Sequence, residues 1–100
     1  LTSPAFAACL RWLRSNPNYH AITEHPPSAD SWPIVEFWDE EMAAIRFIVC
    51  IDNPADVNYA YSVVKSISRK VGGEYRTETG AELSVIAEVF CPESVPFQQD

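Results

Sequence analysis

Between positions 3 and 15 the apolar residues recur at helical spacing, and Phe6, Cys9, Leu10 and Leu13 mark one stripe. Ser3 suits the N-cap, and Pro4 suits the first helical position, where its missing N–H costs nothing. Arg11 and Arg14 lie off the stripe and favour the negative C-terminal end of the helix; Asn16-Pro17 stops it. The same period returns over 54–71. Asn53 caps this second helix, Pro54 opens it and Asp56 sits in its first turn. Val57, Ala60, Tyr61, Val64, Ile67 and Val71 mark its buried face. Lys65, Arg69 and Lys70 gather near its C-terminus, where cations complement the dipole, and Gly72-Gly73 supply a left-handed cap.

Elsewhere the period is two. Residues 32–51 read as two strands joined by an acidic turn at Asp39-Glu40-Glu41. In the first strand Val35 and Phe37 point one way, and Ile34, Glu36 and Trp38 the other. In the second, Ile45, Phe47, Val49 and Ile51 form a clean inner face, opposed by Ala44, Arg46, Ile48 and Cys50. A second hairpin spans 74–90 and turns near Gly80. Leu83, Val85, Ala87 and Val89 face inward, while Ile86 and Phe90 interrupt an outer face of Glu82, Ser84 and Glu88. Its first strand, 74–79, carries Glu74, Arg76 and Glu78 outward and is expected at a sheet edge, where charge discourages edge-to-edge pairing.

The connection 16–33 holds four prolines and is expected to be irregular, apart from a short turn or edge strand at Tyr19–Ile22. The tail 92–100 is expected to be irregular, with Val95 and Phe97 docking. The expected architecture is one α+β domain over 1–100 in the order α-β-β-α-β-β. Its four-stranded, mainly antiparallel sheet carries both helices on one face, the side of Val35, Phe37, Phe47 and Val49.

Composition agrees with a folded domain: 47% hydrophobic residues and three tryptophans are ample for one core. Fourteen acids against seven bases give a net charge of −7, which repels phosphate backbones and anionic membrane surfaces and favours a basic partner. Nucleic acid and membrane are therefore not expected partners. Cys9, Cys50 and Cys91 are odd in number and about forty residues apart, without a CxxC spacing. They read as reduced core thiols of a cytoplasmic protein, with a Cys50–Cys91 bridge as the alternative. The chain opens on Leu1 rather than Met, as a processed or excised piece would, so the lack of a signal peptide excludes nothing.

Catalytic signatures are not found: no P-loop, GxGxxG, GxSxG, HExxH or calcium loop occurs, and three glycines cannot build a phosphate cradle by the usual route. The cysteines and histidines lack short metal-ligand spacing, so neither metal nor cofactor is expected. A Cys9–His20 or Cys9–His25 nucleophile pair is formally available but needs an open cleft. The acids of the 39–41 turn share one solvated environment, whereas catalytic carboxylates need separate ones.

The expected function is that of a small acidic, non-catalytic protein-interaction module, of inhibitor or immunity type or a homodimerising domain. Its surface would be the outer sheet face, with Ile34, Trp38, Ile48, Ile86 and Phe90 as anchors and Glu36, Arg46 and Glu88 as charged companions. Asp39, Glu40 and Glu41 would steer a basic partner by long-range attraction. The alternative is a small-molecule site or small enzyme between the sheet and the 16–33 loop, using Tyr19, His20, His25 and Trp32.

Overall fold

Asp52, just beyond a central strand, takes the backbone N–H of Ala5 at 2.6 Å and the hydroxyl of Ser3 at 2.7 Å. Ser3 in turn accepts from Phe6 N–H at 3.1 Å. The first helix, α1 (Pro4–Arg14), thus begins on a side-chain cap and a carboxylate at its positive end. In the computed structural model, residues 2–71, 79, 80 and 82–92 are described, 69–71 by their backbone alone. The remaining elements are β1 (Tyr19–His25), β2 (Ile34–Asp39), β3 (Ala44–Cys50), a 3-10 turn (Pro54–Asp56), α2 (Val57–Val71) and β4 (Ser84–Phe90). The expected Gly72-Gly73 cap, the strand 74–79 and the docking of Val95 and Phe97 lie outside the described residues.

The class is α+β, with two α-helices and a four-stranded sheet in the order β1-β2-β3-β4 among the described residues. β1/β2 and β2/β3 are antiparallel; β3/β4 is parallel, with α2 as its crossover. Parallel neighbours need such a long connection, so the sheet is mixed but mostly antiparallel. Among the described residues the order is α-β-β-β-α-β, because residues 19–25 of the proline-rich connection join the sheet edge as a full strand. The prolines flank this strand at 17, 26 and 27 and leave its ladder N–H groups intact.

The larger correction concerns faces. The β2–β3 ladder pairs Val35 with Ile48, Phe37 with Arg46, and Asp39 with Ala44. Side chains directly opposite one another share a face, so Val35 and Phe37 stand with Ile48 and Cys50 and not with Phe47 and Val49. The four-residue turn 40–43 sets this register, in which Met42 N–H bonds the Asp39 carboxylate at 3.1 Å. A turn one residue different in length would have given the expected register and flipped one strand relative to the other.

The helices consequently lie on opposite faces. α1 buries Ala5, Cys9, Leu10 and Leu13 against Val35, Phe37, Ile48, Cys50 and Phe90, which form face 1. α2 buries Ala60 against Val49, Ile51, Val89 and Cys91 on face 2, with Val57, Val63, Val64, Ile67, Trp32 and Ile34 packed around them. With both sides covered, the central strand β3 is buried nearly throughout. Each fully buried aliphatic side chain there stabilises the fold by about 1.5–3 kcal/mol relative to exposure. Cys9, Cys50 and Cys91 are free and buried. Cys50 belongs to face 1 beside Cys9, and Cys91 to face 2, so the alternative Cys50–Cys91 bridge has the sheet between its partners. No helix among the described residues is long and apolar enough to cross a membrane.

Candidate functional site

The register divides the expected interface. Ile34, Glu36 and Trp38 stand on face 2, whereas Arg46, Ile48, Ile86, Glu88 and Phe90 stand on face 1. Ile48 is fully buried and Phe90 is 2% exposed, both beneath α1. These residues therefore form no single outer surface, and Ile48 and Phe90 serve the core. Glu40 and Glu41 are exposed in the β2–β3 turn, but Asp39 is buried at 2% exposure and cannot steer a partner at long range.

Asp39 belongs to a network centred on Arg46, itself 7% exposed. The Arg46 guanidinium donates to Asp39 at 2.9 Å and to Glu88 through both Nε (3.1 Å) and a terminal nitrogen. It reaches the Tyr19 hydroxyl at 3.4 Å, and its charge lies over the rings of Tyr19 and Phe37 at 5.8 and 5.3 Å. Burial acts to lower the guanidinium pKa, but the bonds to Glu88, Asp39 and Tyr19 together hold it above its ordinary value. One cation on β3 is thus fastened to groups from the other three strands and is occupied structurally. Tyr19, expected in a ligand site with the histidines, packs here on face 1 against Trp12 and Phe37.

Face 2 is different in character. α2 packs over β4 and, more lightly, β3. Trp38 and its cross-strand neighbour Ile45 remain half-buried at the other end of the face. Trp38 also stands opposite His20, and Ile34 opposite His25. Each histidine meets a carboxylate, His20 with Glu40 at 3.0 Å and His25 with Glu36 at 3.3 Å. These are solvent-exposed pairs along the β1–β2 ladder. Both buried thiols of face 1 are across the sheet from them, so the formal Cys9–His pair is not assembled. Among the described residues no group of three potential ligands gathers for a metal.

Between α2 and the loop that leads into β2 lies a half-open cleft of about 410 Å³. Its floor is Ile34, Val49 and Val63; its walls are Trp32, Tyr59 and the loop residues 28–31. Trp32 and Tyr59 meet edge to face at 5.5 Å between ring centres. Tyr59 is 71% exposed despite its size. The loop is braced by a Ser28–Ser31 backbone bridge and a hydroxyl contact at 3.0 Å. Of the residues named for the alternative site, Trp32 is in this cleft, whereas Tyr19, His20 and His25 do not line it.

Sequence reasoning missed Tyr59, Val63 and Asp30. Tyr61, expected on the buried stripe of α2, is 47% exposed, and Val63 packs inward instead. The available signal was the pair Tyr59 and Val63, one helical turn apart and flanking the main stripe. No family model, curated protein or solved structure matches the chain.

Proposed function

We propose that this protein is a small non-catalytic binding module that holds a protein partner on face 2, with the cleft as the anchoring pocket and Trp38 as its flank. The observation that carries this reading is the cleft: apolar at its floor, aromatic at its walls and open to solvent, within the size range of ordinary binding pockets. Ile34 lines it, and Trp38 lies on the same face of the same strand, about 13 Å further along at roughly 3.3 Å per residue. Glu36 stands between them and meets His25, which lies opposite Ile34 on the neighbouring strand, so pocket and flank are two apolar anchors separated by a polar pair. The net charge of −7 favours a basic partner and disfavours nucleic acid. An inhibitor-type role or pairing with a second copy both remain within this reading. A small-molecule ligand is the second reading, favoured by the cleft volume alone.

A photo-crosslinking residue at Tyr59 tests the proposal. It is expected to trap a partner that the same residue placed at the exposed Arg11, on the far side of α1, does not trap. Trp38→Glu is expected to weaken that capture with the fold retained. Capture at position 11 and none at position 59 would place the interface elsewhere; capture of the chain by itself, with concentration-dependent light scattering, would make the partner a second copy.

A further inference from the structure

We infer that the cleft receives the cationic side chain of a basic residue on the partner. The inference rests on the binding-module reading and specifies its chemistry. Two aromatic side chains, Trp32 and Tyr59, line the wall, packed edge to face on one another so that each keeps its other ring face outside their mutual contact. A ring face attracts ammonium and guanidinium groups through its quadrupole, and tryptophan does so best. Beside them Asp30 contributes a carboxylate, and among the described residues no lysine, arginine or histidine lines the cleft to compete for it. The half-buried Ile34 and Val63 of the floor suit the methylene stem that a basic side chain carries beneath its charge. Stem on the floor, charge between ring and carboxylate: each part of a lysine or arginine side chain has a matching surface.

The opposite sign of ligand is disfavoured by the nearby start of α2. The N–H of Ala55 is taken by the Asn53 side chain at 3.0 Å and that of Asp56 by the Asn53 carbonyl at 3.0 Å. Asp56 places a further negative charge in that turn. The amides that would draw an anion are thus already satisfied.

Three probes with a common five-carbon chain test the inference by NMR titration: n-pentylammonium, n-pentanol and pentanoate. Pentylammonium is expected to shift the Trp32 indole and Tyr59 signals saturably. Pentanol should bind about tenfold more weakly and pentanoate more weakly still. Asp30→Asn, on an exposed loop, should bring the ammonium affinity down to that of pentanol, and Tyr59→Ala should weaken it with the rest of the spectrum unchanged. Pentanol binding as tightly as pentylammonium, pentanoate binding more tightly, or Asp30→Asn without effect would each overturn the cation assignment. If no probe binds while crosslinking at Tyr59 still captures a partner, the cation assignment fails and the module reading stands. If pentylammonium binds as expected and nothing is captured, the cation site stands and the protein partner falls.

Discussion

Two alanines occupy backbone conformations that L-residues avoid. Ala21 has φ 53° at the irregularity in β1, and Ala43 has φ 51° at the end of the β2–β3 turn. Left-handed backbone costs a residue with a Cβ about 1–2 kcal/mol. Ala43 is exposed, so Ala43→Gly removes that strain without opening a cavity. After the added chain entropy of glycine in the unfolded state, a net gain of about 0.5–1 kcal/mol is expected. Thermal unfolding should show it as a Tm higher by about 4 °C, and an unchanged or lower Tm would contradict the strained turn. At the same scale, the hydrogen bond with Cys9, and then burial, push the Cys50 thiol far above the ordinary thiol range. The folded chain therefore keeps this proton at alkaline pH, while the unfolded chain releases it near pH 8.5. Stability is whole below that pH and declines above it, by up to about 1.4 kcal/mol per pH unit from this group. Cys50→Ala should flatten the decline between about pH 8.5 and 10 in denaturant titrations; an identical slope would remove Cys50 as its source.

At the scale of elements, both helices were legible because their caps and stripes agree. Ser3-Pro4 and Asn53-Pro54 each stand ahead of a 3.6-period pattern, and α1 and α2 appear where those signals place them. β1 was legible only at its start. Its pattern, YHAITEH, shows no alternation, because the strand is exposed along most of its length and carries a left-handed residue at Ala21. That irregularity also blunts the edge that β1 would otherwise offer to another chain. Arg46 explains how this exposed strand is held: through Tyr19 it ties β1 to β2, β3 and β4. Arg46→Met keeps the side-chain bulk but strands the Asp39 carboxylate in the interior. A loss of about 3–5 kcal/mol is expected, read from urea unfolding. A loss below about 1 kcal/mol would mean that the pair is open to solvent as exposed bridges are.

For the whole molecule, the sequence showed how much apolar surface must be covered but not by what. The surplus on Ile34, Trp38 and Ile48 was correctly a demand for a second layer. Two of these three are met within the chain: α1 covers Ile48 on face 1, and α2 reaches Ile34 on face 2. The placement of the helices depended on one parity, that of the turn 40–43, which no residue preference in DEEMAA specifies. The cleft was illegible for a related reason. Asp30 and Trp32 come from the connection and Tyr59 and Val63 from α2, and only the parallel β3/β4 crossover sets α2 on the side of the sheet where they meet.

The corner at Ile51–Asn53 links the two layers. Within three residues the chain leaves β3, anchors the start of α1 through Asp52 and caps the entry to α2 through Asn53. Asp52 therefore acts as a latch on α1 from outside that helix, and the thiols beneath act as its clock. Cys9 and Cys50 are sealed under α1, while Cys91 lies under α2 and serves as an internal reference. Releasing the latch by Asp52→Ala costs about 1 kcal/mol of cap energy. If α1 lifts as a unit, Cys9 and Cys50 should then alkylate about fivefold faster, with Cys91 unchanged. Equal acceleration at all three would mean that the layers part only together, leaving the two faces of the sheet thermodynamically inseparable.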